Sequence, residues 1–311
     1  MSFLPSLKQL QYLIALSEHL NFNRAAQACF VTQSTLSVGL KELENLLGRR
    51  LVERDRQKVL MTPLGTEIVR RAHTVLTAAQ DLVDLAATDG GAESGTLRVG
   101  VIPTIAPFLL PKTLLFLRRR HPGLRLVLRE DLSANLLARM ERGQIDFALL
   151  ALPYDTDKFM TKALFEDPLW IVGGKDDPLL SEENVKLTPR IIDRLLLLEE
   201  GHCLRDHILF ACNKPDRKSS GEIEATSLLT LVEMVHSGFG LGLIPEMAVK
   251  NGLASDAELV VRPVIEPCPS RTIAIAARRS TPRLAEMEAL ADAICESHLL
   301  PCGVEESSDA R

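Results

Sequence analysis

Apolar residues at Leu7, Leu10, Leu13 and Ile14, and again at Ala25, Ala26 and Ala28, recur at helical spacing. The polar run 19–23 between them predicts two short helices meeting at a corner. Thr32 is an N-cap candidate for a third helix, in which Leu36, Leu40, Leu43, Leu46 and Leu47 keep the period until Gly48 ends it. A tight turn around Phe30 and Val31 joins the second helix to the third, the spacing of a helix-turn-helix whose second member enters the major groove. In GRRLVERDRQKVLMTPLG, Leu51, Val52, Val59, Leu60 and Met61 flank a charged turn, which predicts a hairpin wing over the phosphate backbone. Leu64, Ile68, Ala72, Val75, Ala79, Leu82 and Ala86 then trace a three-four seam, stopped by Gly90 and Gly91. Such a seam suits a helix pairing with a second copy of itself, or one packed on its own domain.

Beyond DGGAESG the period changes. LRVGVI, a helix from 107 to 120, LRLVLRED, a helix from 133 to 142 and IDFALLA alternate strand with helix, which predicts a mostly parallel sheet covered by helices. LWIVGG and LLLLEE open a second unit of the same kind. RTIAIAARR adds a late strand, and a helix from 282 to 298 closes the fold. The fold class is therefore α/β with an all-α, winged head, and ligand sites in such sheets lie beyond strand ends, as at Pro103 and Thr104.

Composition sharpens this picture. Of 311 residues, 46% are hydrophobic and 25% charged, the balance of a soluble globular chain rather than a disordered one. No stretch approaches the roughly 20 apolar residues that span a bilayer, and the start lacks a secretory pattern, so no membrane contact and a cytoplasmic location are expected. The net charge of -5 argues against nucleic acid until it is divided: residues 1–62 carry eight Lys or Arg against five acids, a local +3, leaving -8 for the rest. A basic head on an acidic body is expected where one end meets phosphate. Thr32, Gln33, Ser34, Thr35, Ser37 and Lys41 on the third helix are the candidate base and phosphate contacts, with Arg54 and Arg56 from the wing; short polar residues at a helix start also serve simply as caps.

GHCLRDHILFAC holds Cys203 and Cys212 nine positions apart. Three readings stand open for them: buried structural thiols, a zinc or copper set with His202 and His207, or the two ends of a conditional bond. Structural zinc favours tighter CxxC pairs, which weakens the metal reading. Cys203 follows a turn and precedes a helix-like run, so the positive helix end and Arg205, close in sequence, are expected to lower its pKa, with Arg271 a candidate from elsewhere in the fold. Cys212 ends the apolar part of that run. Cys29, Cys268, Cys295 and Cys302 have no comparable surroundings, and His73, His121, His236 and His298 read as surface or packing residues.

The run FNRAAQACFVTQSTLSVGLKELENLLGRRLVER, followed by LMTPLG, resembles the winged helix-turn-helix of LysR-type transcriptional regulators, and the likeness extends over the whole chain. It implies a DNA-binding domain at 1–62, a dimerising linker helix at 63–90 and a regulatory domain at 95–304. The last would be a periplasmic-binding-protein-like pair of subdomains, 95–166 with 270–300 and 167–269. VIPTIAPFLLP, GHCLRDHILFAC, ATSLLTLVEMV and PSRTIAIA are similar to the peroxide-sensing members of that family. The resemblance implies oxidation of Cys203 by hydrogen peroxide and a reversible disulfide with Cys212. Thr104, Ser133 (where the family usually has Thr), His202 and Arg271 would surround the thiol, and Asp206 would orient Arg205 or nearby backbone. Were 203–212 one helix, a rise of about 1.5 Å per residue would part the Cα atoms by roughly 13–14 Å, against the ~7 Å a disulfide tolerates. Bond formation would then require refolding. Partners implied are double-stranded promoter DNA, RNA polymerase and further copies of the chain as a dimer of dimers. No cofactor or metal is implied, and an effector-binding regulator or a thiol peroxidase are the competing functions.

Overall fold

Side-chain oxygens fix where the amino-terminal helices begin. In a computed structural model of the chain, which describes residues 4–55, 58–87, 95–214, 224–266 and 268–299, Ser6 and Gln9 form a reciprocal capping box before α1 (Leu7–His19). Asn21 caps α2 (Phe22–Ala28), and Thr32 caps α3 (Gln33–Leu47) by accepting from the Thr35 amide. Leu13, Leu16, Ala25, Leu36, Leu40 and Leu43 close one core, which also takes Leu51 and Val52. The wing is β1 (Val52–Asp55) against β2 (Lys58–Met61), antiparallel with Val52 opposite Met61. One oxygen of the Glu44 carboxylate accepts from the amides of both Leu51 and Val52, which ties the wing to α3.

The long α4 (Pro63–Ala87) packs on α1 through Ala72, against Leu10 and Ile14. Its remaining seam is divided: Leu64, Val75 and Leu82 stay exposed, as does Val83. Gly90 and Gly91, expected to end it, lie outside the described residues. At its first turn a Cβ on Gly65 would fall 2.1 Å from the Leu51 carbonyl oxygen. Backbone cannot swing aside as a side-chain tip can, so Gly65→Ala is expected to cost the head about 1–3 kcal/mol. A lowered urea midpoint with weakened DNA binding is the result to look for; an unshifted midpoint would mean that the junction relaxes freely.

The chain divides into two compact units, one of residues up to 89 together with 141–144, the other of the remaining residues. In the second, β3 (Gly95–Val101), α5 (Ala106–Arg120), β4 (Leu124–Glu130), α6 (Ser133–Glu141) and β5 (Phe147–Leu152) follow the expected alternation. Here β3 pairs parallel with both β4 and β5. The 16-residue β6 (Phe159–Gly174) follows, then β7 (Val185–Lys186), α7 (Pro189–Asp193), α8 (Cys203–Ala211), α9 (Leu228–His236), β8 (Gly242–Pro245), α10 (Glu246–Lys250), β9 (Leu259–Glu266), β10 (Ser270–Arg278) and α11 (Leu284–Leu299). The strands run β4-β3-β5-β10-β6-β9-β7, with β8 also on β6.

The sheet is mixed rather than mostly parallel. Its long strand β6 pairs antiparallel with β10 over its first part and with β8 and β9 over its last. A single strand carries the chain out of one half, and the strands that bring it back must oppose it. LLLLEE is not a strand: Leu195 and Leu198 make single bridges to Leu241 and Ala225. Two hydrophobic cores result, one around Val99, Phe147, Ile273 and Ile294, the other around Ile171, Leu204, Leu231 and Ile244. Phe108 touches both.

Candidate functional site

On the head, Gln33, Ser34 and Thr35 are exposed in the first turn of α3 and Lys41 is exposed in its middle, while Ser37 is half-buried. Thr32 spends its hydroxyl on the cap, within 2.9 Å of Ser34 Oγ and 2.8 Å of Thr35 Oγ1, so it positions the helix start. Arg54 lies on β1, and Arg56 is outside the described residues. Arg49 and Arg50, part of the basic charge of the head, line an open groove with Ser37, Lys41 and Asn45.

The cysteine segment is the helix that its pattern predicts. Gly201, at φ +99, makes the turn that an L side chain would strain, and His202 is the N-cap of α8 without a side-chain cap bond. Cys203 is therefore the first helical residue, at a helix start whose amides the N-cap side chain does not satisfy. Cys212 is the C-cap at the other end. Neither thiol is in a disulfide, both are buried, at 3% and 9% exposure, and they are buried in different places: Cys203 in the first core, Cys212 in the second.

Around Cys203 the fold gathers residues far apart in sequence. Arg271 on β10 is completely buried, and its Nε and Nη2 donate to Asp167 Oδ2 at 3.0 and 2.9 Å. Its Nη1 donates to Thr104 Oγ1 at 2.7 Å and its Nη2 to the Thr104 carbonyl at 3.0 Å. Asp167 Oδ1 also accepts from the Met247 amide. Ser133 Oγ, at the first residue of α6, is buried with no hydrogen-bond partner among the described residues, and it favours a thiolate at Cys203.

Burial nevertheless pushes the Cys203 thiol above its ordinary range, outweighing Arg271, the Ser133 hydroxyl and its own amide, which pull it down; exposed Asp206 adds to the rise. The expected low-pKa thiol is thus corrected. Desolvation penalises the charged form more than one shared cation and a helix end repay.

Two supporting residues face elsewhere. Arg205 Nη1 donates to the Leu198 carbonyl and to Glu224 Oε1, clamping 197–199 beside 224–225, and Asp206 is not among these partners. At about 100° per helical residue, position 205 lies some 200° around α8 from Cys203 and cannot share its face. His202 points toward Glu199, 3.9 Å away; burial lowers its pKa, while Glu199 and the Thr226 backbone oppose that shift. By contrast His207, one turn after Cys203, shares its face, and its Nε2 lies 2.9 Å from the Pro153 carbonyl. The sequence marks His207 only as a candidate metal ligand and gives no sign of Asp167, which stands directly opposite Arg271 in the β6–β10 register. Among the described residues no three His, Cys, Asp or Glu side chains converge as a metal site. No described helix is long and apolar enough to cross a membrane.

A winged three-helix head joined by a long helix to a mixed two-core α/β body defines a class of bacterial regulator. Residues 7–66 match the bacterial regulatory helix-turn-helix protein, lysR family, and residues 90–298 the LysR substrate binding domain. The chain belongs to the LysR family of DNA-binding transcriptional regulators. It is 45% identical to the HTH-type transcriptional regulator EstR of Acinetobacter baylyi, over 94% of this chain and 97% of that protein. It is 38% identical to the DNA-binding transcriptional dual regulator OxyR of Escherichia coli K12, over 93% and 94%. Among solved structures it superposes on a full-length OxyR from Pseudomonas aeruginosa bearing a Cys-to-Asp substitution, with TM-score 0.75 and 36% identity over 94% of this chain and 98% of that one. A Cys-to-Ser variant of Corynebacterium glutamicum OxyR with hydrogen peroxide bound gives 0.63 at 30% identity, over 96% and 94%.

Proposed function

We propose that this regulator senses hydrogen peroxide through Cys203, is refolded by a Cys203–Cys212 disulfide and thereby activates antioxidant genes in the cytoplasm. The observation that carries the reading is α8 itself, one short helix with a thiol buried in a separate core at each end. Along that helix the two Cα atoms stand roughly 13–14 Å apart, about twice what a disulfide spans. Peroxide would convert Cys203 to a sulfenic acid, which Cys212 attacks with loss of water, and the bond can close only if α8 unwinds and one core releases its cysteine. Reduction restores the helix, so a redox event becomes a choice between two folds.

The exposed Leu64, Val75, Leu82 and Val83 on α4 support a dimer through that helix, presenting two α3 helices to related half-sites of promoter DNA. Assembly as a dimer of dimers and contact with RNA polymerase complete the proposed partners. Domain limits are proposed at 1–62, 63–90 and 95–304, with subdomains 95–166 plus 270–300 and 167–269. Peroxide is consumed stoichiometrically as a signal, not turned over by an enzyme.

Mass mapping of thiols after stoichiometric peroxide, beside footprinting on promoter DNA, tests this. A footprint whose length changes in step with Cys203–Cys212 bond formation is the expected outcome; oxidation that leaves the footprint unaltered would remove the switch. A second reading, control by a small organic effector, draws on the EstR relative, whose name mentions no peroxide. It predicts a footprint change with an effector and no oxidant.

A further inference from the structure

We infer that His207 takes the proton of the Cys203 thiol as the sulfur is oxidised, and returns it to the departing oxygen. The inference rests on the peroxide reading above. His207 Nε2 lies 2.9 Å from the Pro153 carbonyl oxygen, which can only accept, so Nε2 carries the hydrogen. In the neutral ring Nδ1 is then a bare lone pair. It is buried and has no hydrogen-bond partner among the described residues, on a side chain of a residue only 7% exposed. A buried acceptor left without a donor is uncommon in a folded protein, and a catalytic role is one of the explanations for it.

The placement gives that lone pair a purpose. Residues four apart on a helix bring their Cβ atoms within about 5–6 Å, which makes the thiol and the imidazole neighbours on one face of α8. The loop after β5 closes the same face: Pro153 holds His207, and the phenol of the next residue, Tyr154, feels the Cys203 charge. Arg271 acts on both Cys203 and His207. The charged groups that act on the imidazole are Arg271 from β10, paired with Asp167 from β6, and Asp206 on α8; Cys203 lies on the same face of α8, and Tyr154 from the loop and Ser133 from α6 couple to that thiol.

The chemistry needs such a group. Burial holds the imidazole pKa below its ordinary value and the thiol pKa above its own, so near neutral pH the resting pair is neutral imidazole and neutral thiol. A thiol attacks peroxide poorly until its proton leaves. In the proposed step the S–H proton passes to Nδ1, the sulfur lone pair attacks one peroxide oxygen, and the O–O bond breaks. The departing hydroxide takes the proton from the imidazolium and leaves as water. Sulfur is oxidised to Cys203–SOH, one peroxide is reduced and His207 is regenerated. Four of the five N–H groups of Arg271 are committed to Asp167 and Thr104, and its positive charge favours the thiolate that develops at Cys203.

The test is the rate of sulfenic acid formation at Cys203 against pH, in full-length wild type and His207→Gln. Gln keeps a donor for Pro153 but offers no basic lone pair. Wild type should plateau across the neutral range, whereas the variant should track the thiolate fraction, about 10²-fold or more slower near neutrality and converging with wild type toward high pH. A variant as fast as wild type, or slower by one constant factor at every pH, would overturn the inference. Should His207→Gln fail to fold, the wild-type profile decides: a rate that climbs tenfold per pH unit toward the raised thiol pKa leaves His207 no part. If wild-type Cys203 is not oxidised at all, the peroxide reading falls and this inference with it; normal wild-type oxidation with an unaffected variant removes the inference alone.

Discussion

A Cys203→Ser protein is expected to bind promoter DNA as the reduced wild type does and to show no footprint change with peroxide. Serine differs by one atom, and the buried Ser133 hydroxyl beside it offers a partner for the new Oγ, so the cost in stability should stay near 1 kcal/mol. The alcohol, far less acidic than a thiol, gives no nucleophile at this site, and the loss of response should be complete. Cys212→Ser separates the two halves of the process. Cys203 should still gain one oxygen by mass, but no bond should close, α8 should have no reason to unwind and the footprint should stay in its reduced form. Footprinting and thiol mapping on the same samples, with urea melts to confirm folding, give the answer. A Cys203→Ser protein that still shifts its footprint would remove the thiol switch and leave the effector reading.

What the sequence made legible was local. The cap at Thr32, the stop at Gly48 and the leucine period of α3 follow from side chains within a turn of each other, and so do the strand and helix alternation of 97–151 and the helix at 203–212. Misreadings fell where the deciding contact is distant. LLLLEE has strand-like residues, yet its leucines are buried against helices and single bridges rather than a ladder. Strand direction was misjudged because nothing local says that β6 runs through both halves. Arg205 looked near Cys203 because it is two residues away, whereas Arg271, 68 positions on in the numbering, is the cation that shares its pocket. A helical wheel would have found His207 on the Cys203 face. Asp167 left no local signal, for an acid before an apolar strand is common, and only the register with β10 sets it against Arg271.

That pair supplies the largest expected loss of stability. Asp167→Ala should destabilise the reduced protein by about 3–5 kcal/mol, since it strands a guanidinium whose side chain has 0% exposure without a countercharge. It also removes the acceptor of the Met247 amide, so a second buried donor loses its partner. The contribution of the pair itself is smaller than this penalty, because two charges had to be desolvated to form it. Replacing both by apolar residues, Asp167→Leu with Arg271→Met, should therefore lose less than either truncation alone. The double variant should nonetheless lose oxidation rate, for without Arg271 nothing cationic opposes the burial that raises the Cys203 thiol. Urea midpoints at constant slope, beside sulfenic acid rates, separate these outcomes. If Asp167→Ala unfolds within about 1 kcal/mol of wild type, water must reach Arg271, the pocket is not dry and burial does not govern the thiol.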